Sequence, residues 1–342
     1  MTRNVVYIDM KHIESWGFLS GLENTSGIKW EVKSYVSNQA YLSGKYKGKF
    51  SGIIRYIRWF YYSFLIFFNR KKYSNIIAWQ QFYGLLFVLY CKLFRAKKTF
   101  TLIVMTFIYK RKGGFAGRIY ESFIKYVVNS RFIDKIIVYS SKEVDYYSHI
   151  FESSASKFVS IPLGIEQIKG TVTNNFDEGS FILSVGRSNR DYPFLIEALK
   201  ESEFKVKILS DKPFKTTSEN IEIYNDVCGE DMFAIMRKCF CVVIPLDNPN
   251  ISAGQLVILQ AMQLGKPVIV TESNGIADYI KNNYNGFIIN KSKDDLINAI
   301  MSLYSSKELY YKISVNGIYE YENKYSTKQM GVNVGKILKF IK

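Results

Sequence analysis

Two short polar segments carry residue types suited to a phosphorylated ligand. The first, Gly186-Arg187-Ser188-Asn189-Arg190, follows the apolar run Phe181–Val185. Two arginines three apart on a loop offer forked N–H donors that match phosphate oxygens. The second, Ser252-Ala253-Gly254-Gln255, follows CVVIPL and the polar loop Asp247–Asn250 and opens a helical stretch. Such an entry presents free backbone N–H groups and the positive end of the helix dipole. Ser252 has the character of an N-cap, and Gly254 would let a ligand come close to the backbone. Farther along, Gln260 sits among Leu256, Val257, Leu259 and Met262. A buried amide there needs partners, which neighbouring backbone groups or a pair of ribose hydroxyls would supply.

Metal chemistry finds little support. The cysteines, Cys91, Cys228, Cys239 and Cys241, form no C-x-x-C pair, and only His12 and His149 could assist them. Reduced, buried thiols are the simpler reading. No D-x-D pattern stands in a suitable place, so neither a metal nor a cofactor is expected.

The elements that must position these segments are legible as alternation. In the first half, apolar runs at Asn4–Met10, Lys29–Tyr35, Ile76–Trp79, Thr99–Thr106, Lys135–Ser140 and Phe158–Ile161 read as strands. Helical stretches at Ile53–Phe68, Phe82–Phe94, Ile119–Val128 and around Glu143–Phe151 separate most of them. The second half restarts at Phe181–Val185 and continues through Lys205–Leu209, Ile221–Tyr224, Cys241–Pro245, Pro267–Thr271 and Gly286–Asn290, with helices between. Asp278–Lys281 reads as a short helix and Lys307–Lys342 as mostly helical. Strand–helix alternation implies α/β architecture: two Rossmann-like, doubly wound parallel sheets with helices on both faces, facing a cleft. The expected division is 1–164, 165–325, and a C-terminal helix, 326–342, returning to the first domain. A polar stretch, Gly164–Gly179, reads as the linker.

Charge separates the halves. Residues 1–164 hold 25 Lys and Arg against 9 Asp and Glu, whereas 165–342 hold 21 of each, so the net +16 belongs to the first half. Such asymmetry points to a polyanion, either nucleic acid or an anionic membrane. No nucleic-acid recognition motif is present. Within Ile53–Phe68 the uncharged core Trp59–Asn69 is too short to span a bilayer, which needs about 20 apolar residues. It suits a helix lying on a membrane, with Arg55, Arg58, Trp59, Arg70, Lys71 and Lys72 facing the lipid, or an ordinary buried helix. The first residues run straight into an apolar strand with no signal-peptide pattern. A cytoplasmic location, peripheral to the inner face of the membrane, is expected.

Over about Phe181–Ile289 the sequence resembles the GT-B-fold glycosyltransferases of the group 1 type, which are retaining enzymes that use nucleotide sugars. The segments that carry the resemblance are VGRSNRDYPFLIEAL, VVIPL and SAGQLVILQAMQLGKPVIVTESNGIADYIKNNYNGFII. Over the first half it is only architectural. The resemblance implies that Arg187 and Arg190 contact the donor diphosphate and that Ser252, Ala253, Gly254 and Gln255 hold the sugar and phosphates. It further implies that Gln260 binds the ribose and that the loop at Asp226 and Val227 receives the base. Two departures stand out. The family has glutamates where this chain has Ser252 and Gln260, so neither can act as a base. The family's histidine after a central strand is also missing, since Thr106-Phe107 occupies that region. Asp9, His12 and Glu14, beside the end of the first strand, are substitutes to consider with Thr106.

The expected activity is therefore metal-independent, retaining transfer of a sugar from a nucleoside diphosphate sugar to a growing glycan, with a lipid-linked glycan at the anionic membrane as acceptor. Two rivals are a nucleotide-sugar epimerase on the same fold and a non-catalytic membrane-associated relative. Donor sugar, base and linkage are not legible.

Overall fold

The computed structural model describes residues 3–11, 15–37, 51–170, 176, 181–211, 214–249 and 252–341. The chain forms two compact units, one of Met1–Ile161 with Thr327–Lys342 and one of Pro162–Ser326.

In the first unit β1 (Arg3–Ile8), β2 (Glu31–Ser34), β3 (Tyr73–Ala78), β4 (Thr101–Val104), β5 (Lys135–Val138) and β6 (Phe158–Ser160) make a sheet. Its order is β2-β1-β3-β4-β5-β6, and every pairing is parallel. The helices are α1 (Gly17–Ser26), α2 (Ser51–Asn69), α3 (Gln81–Leu93), α4 (Gly114–Val128) and α5 (Ser141–Ile150). Alternate strand residues face opposite layers. Tyr7, Ile76, Leu102 and Ile136 pack with residues of α2 to α5. Val6, Ile8, Ile77 and Ile137 pack with α1 and α11 (Thr327–Ile341). Both faces are covered, which is why the central strands are mainly apolar rather than alternating, whereas the edge strand β2 (EVKS) is polar and largely exposed.

The pairing of α1 with α11 depends on glycine. A Cβ on Gly21 would lie 2.1 Å from the Lys328 carbonyl oxygen, and one on Gly331 would lie 2.0 Å from that of Phe18. Any side chain at these positions would force the backbones apart. The mostly helical tail consists of α10 (Lys307–Lys324) and α11, with a break at Tyr325 and Ser326.

The second unit contains β7 (Ile182–Val185), α6 (Tyr192–Leu199), β8 (Val206–Leu209), β9 (Ile221–Tyr224), α7 (Glu230–Lys238), β10 (Cys241–Ile244), α8 (Gln255–Gln263), β11 (Val268–Thr271), β12 (Phe287–Ile289) and α9 (Lys293–Ser305), with α10. The strand order is β12-β11-β10-β7-β8-β9, again all parallel. Read from β9, this is the 3-2-1-4-5-6 winding. It reverses between β7 and β10 and opens a crevice beyond their carboxyl ends. Asp278–Lys281 is not a helix: Ile280 N–H closes one turn onto Ile276 O at 2.9 Å, and no helix follows. Half of the expected linker, 171–175 and 177–179, lies outside the described residues.

Candidate functional site

The crevice between β7 and β10 collects the two segments that opened the sequence reading. The loop after β7 begins at Gly186, whose φ is 139°. A Cβ there would lie 2.6 Å from Arg190 Nη2. Glycine is therefore required twice, by backbone angle and by the guanidinium folded over it. Arg190 Nε donates to Val185 O at 3.2 Å and Nη1 to Ser188 O at 2.9 Å. Burial pushes its pKa down, against the neighbouring Tyr192, which raises it. Arg190 thus holds the loop from within, rather than reaching out as the spacing alone implied. Arg187 is the outward arginine. Its side chain is 70% exposed, and its Nε pairs with Asp211, at the end of β8, at 2.7 Å.

Asn189 joins the two loops, and sequence reasoning missed it. Its φ is 54°, a left-handed conformation that asparagine tolerates better than most residues. Its Nδ2 donates to Asn248 O at 2.9 Å while its Oδ1 accepts from Asn248 N–H at 2.8 Å. One side-chain amide thus clasps the loop after β10 to the loop after β7. From the other side, Ser273 Oγ and Asn274 N–H, in the loop after β11, donate to Pro249 O at 3.1 and 2.7 Å. A third tie comes from Lys291, which pairs with Asp191 and, at 3.6 Å, with Asp247. Asp191 also caps α6 by accepting from Phe194 N–H at 2.9 Å. The only local signals for these ties are an Asn beside Arg190 and an Asp before a Pro-containing helix start.

The loop after β10 then enters α8. Ser252 is not its N-cap. That position belongs to Gly254, at φ 94°, and no side chain caps the helix. Ser252 Oγ instead accepts from Gln255 Nε2. The left-handed turn at Gly254 moves the helix start two residues downstream of the serine. The first-turn N–H groups of α8 therefore remain for an anion. A Cβ on Gly254 would make only ordinary contacts, 3.4 Å at the nearest, so here the backbone angle demands glycine. Ala253 packs partly against the core beneath. Gln260 is buried, and among the described residues no hydrogen bond reaches its amide. A ligand or solvent would supply its partner. Asp226, at φ 59°, and Val227 follow β9, the far edge strand. They stand two strands from the crevice, and Val227 rests against the core.

The candidates in the first unit divide differently. Asp9 follows β1, at that sheet's own switch point. It accepts from the N–H and hydroxyl of Ser37. Burial raises its pKa, opposed by the Ser37 hydrogen bonds. Thr106, after β4, has a φ of 50° and donates its hydroxyl to Trp79 O. That conformation is costly for a β-branched residue. His12 and Glu14 lie outside the described residues.

Three of the residues assigned to a membrane face turn inward. Trp59 is buried, stacks on Phe82 at 4.3 Å and donates Nε1–H to Ser37 Oγ at 3.0 Å. Arg58 Nη1 reaches Ser37 O at 3.4 Å, and the Arg55 guanidinium lies over Trp59 at 5.2 Å. Arg70 packs over Phe67 at 4.0 Å. Lys71 and Lys72 are exposed. No helix among the described residues is long and apolar enough to cross a membrane.

Comparison with known proteins agrees with this geometry. The family model for glycosyl transferases group 1 matches residues 180–306. An uncharacterised glycosyltransferase of Methanocaldococcus jannaschii is 27% identical over 176 residues, covering 47% of this chain and 49% of that one. The chain thus spans about half the length of that relative. Among solved structures, sucrose-phosphate synthase from Thermosynechococcus elongatus superposes with a TM-score of 0.70 at 14% identity, covering 100% of this chain and 99% of that one. Anabaena Alr3699/HepE in complex with UDP superposes with a TM-score of 0.68 at 13% identity, covering 98% and 100%. The chain carries a glycosyl transferases group 1 domain at residues 180–306, on a GT-B fold.

Proposed function

We propose that this protein transfers a sugar from a nucleoside diphosphate sugar to a growing glycan. The observation that carries the reading is the uncapped N-terminus of α8, set across the switch point from the Gly186–Arg190 loop. The donor diphosphate would take the first-turn N–H groups of α8 and the Arg187 guanidinium, which would leave Asp211 for it. Arg190 and Asn189 would keep that loop in shape. Gln260 would meet the ribose hydroxyls, and the loop at Asp226 and Val227 the base. As the bond between the anomeric carbon and the diphosphate oxygen breaks, negative charge grows on the leaving group. The helix dipole and Arg187 stand where they would stabilise it without a metal. The acceptor hydroxyl oxygen then bonds to that carbon and passes its proton to a diphosphate oxygen. This route needs no protein carboxylate and fits a chain with Ser252 and Gln260 in place of glutamates. It also implies retention of configuration.

The acceptor in this reading is a glycan on a lipid carrier. The excess positive charge of residues 1–164 would hold the protein peripherally to the anionic inner face of the membrane. A panel of nucleotide sugars, assayed for nucleotide release with and without a lipid-linked glycan acceptor, tests the activity. Acceptor-dependent release from one donor is expected. Conversion of a donor to an isomeric nucleotide sugar without acceptor would instead identify an epimerase. Tight donor binding with no product would identify a non-catalytic relative.

A further inference from the structure

Arg55, Arg58 and Trp59, first expected to face a lipid surface, point into the protein, yet α2 has a conspicuous outer face. Ile53, Ile57, Phe60, Phe64 and Phe68 recur at helical spacing and are all exposed, Phe68 by 75%. Nothing among the described residues covers them. On its inner side the same helix packs through Trp59, Ile66 and Phe67. α2 is therefore apolar on both sides. A helix that packs on one side only does not need this second stripe, and exposed large apolar patches mark interaction sites.

Two neighbouring helices extend the stripe. Tyr90 of α3 donates its hydroxyl to Phe60 O at 3.3 Å, and Phe94, just after α3, lies 5.3 Å from Phe67. Leu93 and Phe94 are both exposed. Lys92 of α3 donates to Tyr126 O of α4 at 3.1 Å, so α3 ties α2 to α4. The first turns of α4 present Phe115, 78% exposed, and Ile119.

Cations border these groups. Lys71, Lys72 and Arg95 follow α2 and α3, and Lys112 and Arg118 flank Phe115. Between Glu31 and Glu121 the chain has no Asp or Glu but 17 Lys and Arg. An exposed apolar face bounded by cations, in a stretch without acidic residues, matches an anionic bilayer surface. Apolar groups enter the acyl boundary there, and cations remain among the headgroups.

We infer that the outer face of α2, with Leu93 and Phe94 and the start of α4, is a platform that inserts shallowly into an anionic lipid surface. This rests on the peripheral membrane reading above and sharpens it. Insertion of the α2 stripe contributes most of the affinity, and the cations bias the choice of lipid. An anionic protein or a second copy of this chain would meet the same face differently, and the test separates them.

The full-length protein is floated with vesicles of phosphatidylcholine alone or of an equimolar phosphatidylglycerol–phosphatidylethanolamine mixture. The parent should bind the anionic vesicles. A Phe60→Ser, Phe68→Ser variant should lose on the order of 100-fold in partitioning while keeping its melting temperature and nucleotide affinity, since those side chains are exposed. Phe115→Ser with Ile119→Ser should lose less. Lys71→Gln with Lys72→Gln should weaken binding mainly at low salt. Parent binding that both apolar variants retain would overturn the platform and leave the membrane reading standing. A parent that binds no vesicle would overturn both. A concentration-dependent dimer that the phenylalanine substitutions abolish, without vesicle binding, would assign the face to a second copy.

Discussion

The two sheets each have a switch point, and the two are finished in opposite ways. In the first unit, the helix start and the carboxylate beside β1 and β3 are taken up by the protein's own groups. Gln80 caps α3 by accepting from Phe82 and Tyr83 N–H, and Ser37 occupies the Asp9 carboxylate. In the second unit, α8 opens on Gly254 with no side-chain cap. The loop facing it is held from behind by Arg190 and across by Asn189. A helix N-terminus that the protein caps itself has no charge left to offer an anion, whereas one left open and braced on each side is preorganised for one. The same winding principle thus yields a self-capped helix start in one unit and an uncapped one in the other.

The largest expected effect comes from the loop facing the uncapped helix start. Gly186→Val would place a branched side chain at φ 139° against the Arg190 guanidinium. A loss of about 3 kcal/mol in urea unfolding is expected, with nucleoside diphosphate binding falling at least about 100-fold by calorimetry. Unchanged nucleotide affinity would show that the ligand lies elsewhere. Arg187→Ala should lower the same affinity by roughly 10- to 100-fold. Its melting temperature should hardly move, because an exposed pair such as that with Asp211 is worth about 0–1 kcal/mol. Asp211→Asn should raise affinity, since the arginine then has no competing carboxylate.

The self-capped side should respond in the reverse sense. Gln80→Leu removes a cap and should cost about 1 kcal/mol in stability while leaving nucleotide affinity alone. The smallest effect is expected at Asp9. Burial raises its pKa, so the native state holds that proton more tightly than the unfolded chain does. The stability it contributes is complete below the usual aspartate range and declines as pH rises through the native value. Asp9→Asn should therefore match the parent in acid and exceed it at neutral pH, read as the difference in melting temperature. Loss of sugar transfer by this variant, with folding intact, would make Asp9 a participant in the reaction.

The central strands were legible because they are buried on both faces, so their sequences are largely apolar, as in β7, β10 and β11. The start of α8 was legible as a type of place, a loop entering a helix, although its cap was assigned to Ser252 when the left-handed turn at Gly254 sets the start. The Asn189 clasp was not legible. It joins positions far apart in sequence, and no local pattern reports that two loops will lie within hydrogen-bonding distance. Which side of α2 packs was not legible, for a different reason. It is apolar nearly all round, so helical periodicity does not say which side packs. Only Phe82 and Ser37, supplied by other elements, reveal that Trp59 belongs inside.

The glycine-dependent pairing of α1 with α11 has a consequence for how the protein is made. A ribosome that has completed residues 1–161 has produced every strand of the first sheet, but not the helix that completes the cover of one of its faces. Trp16, Phe18 and Leu22 must wait for Met330, Val334 and Leu338, which emerge only after the whole second unit. During that interval the newly made first unit exposes an apolar groove that it cannot close by itself, and its exposure to misassembly is set by the time taken to synthesise the other unit.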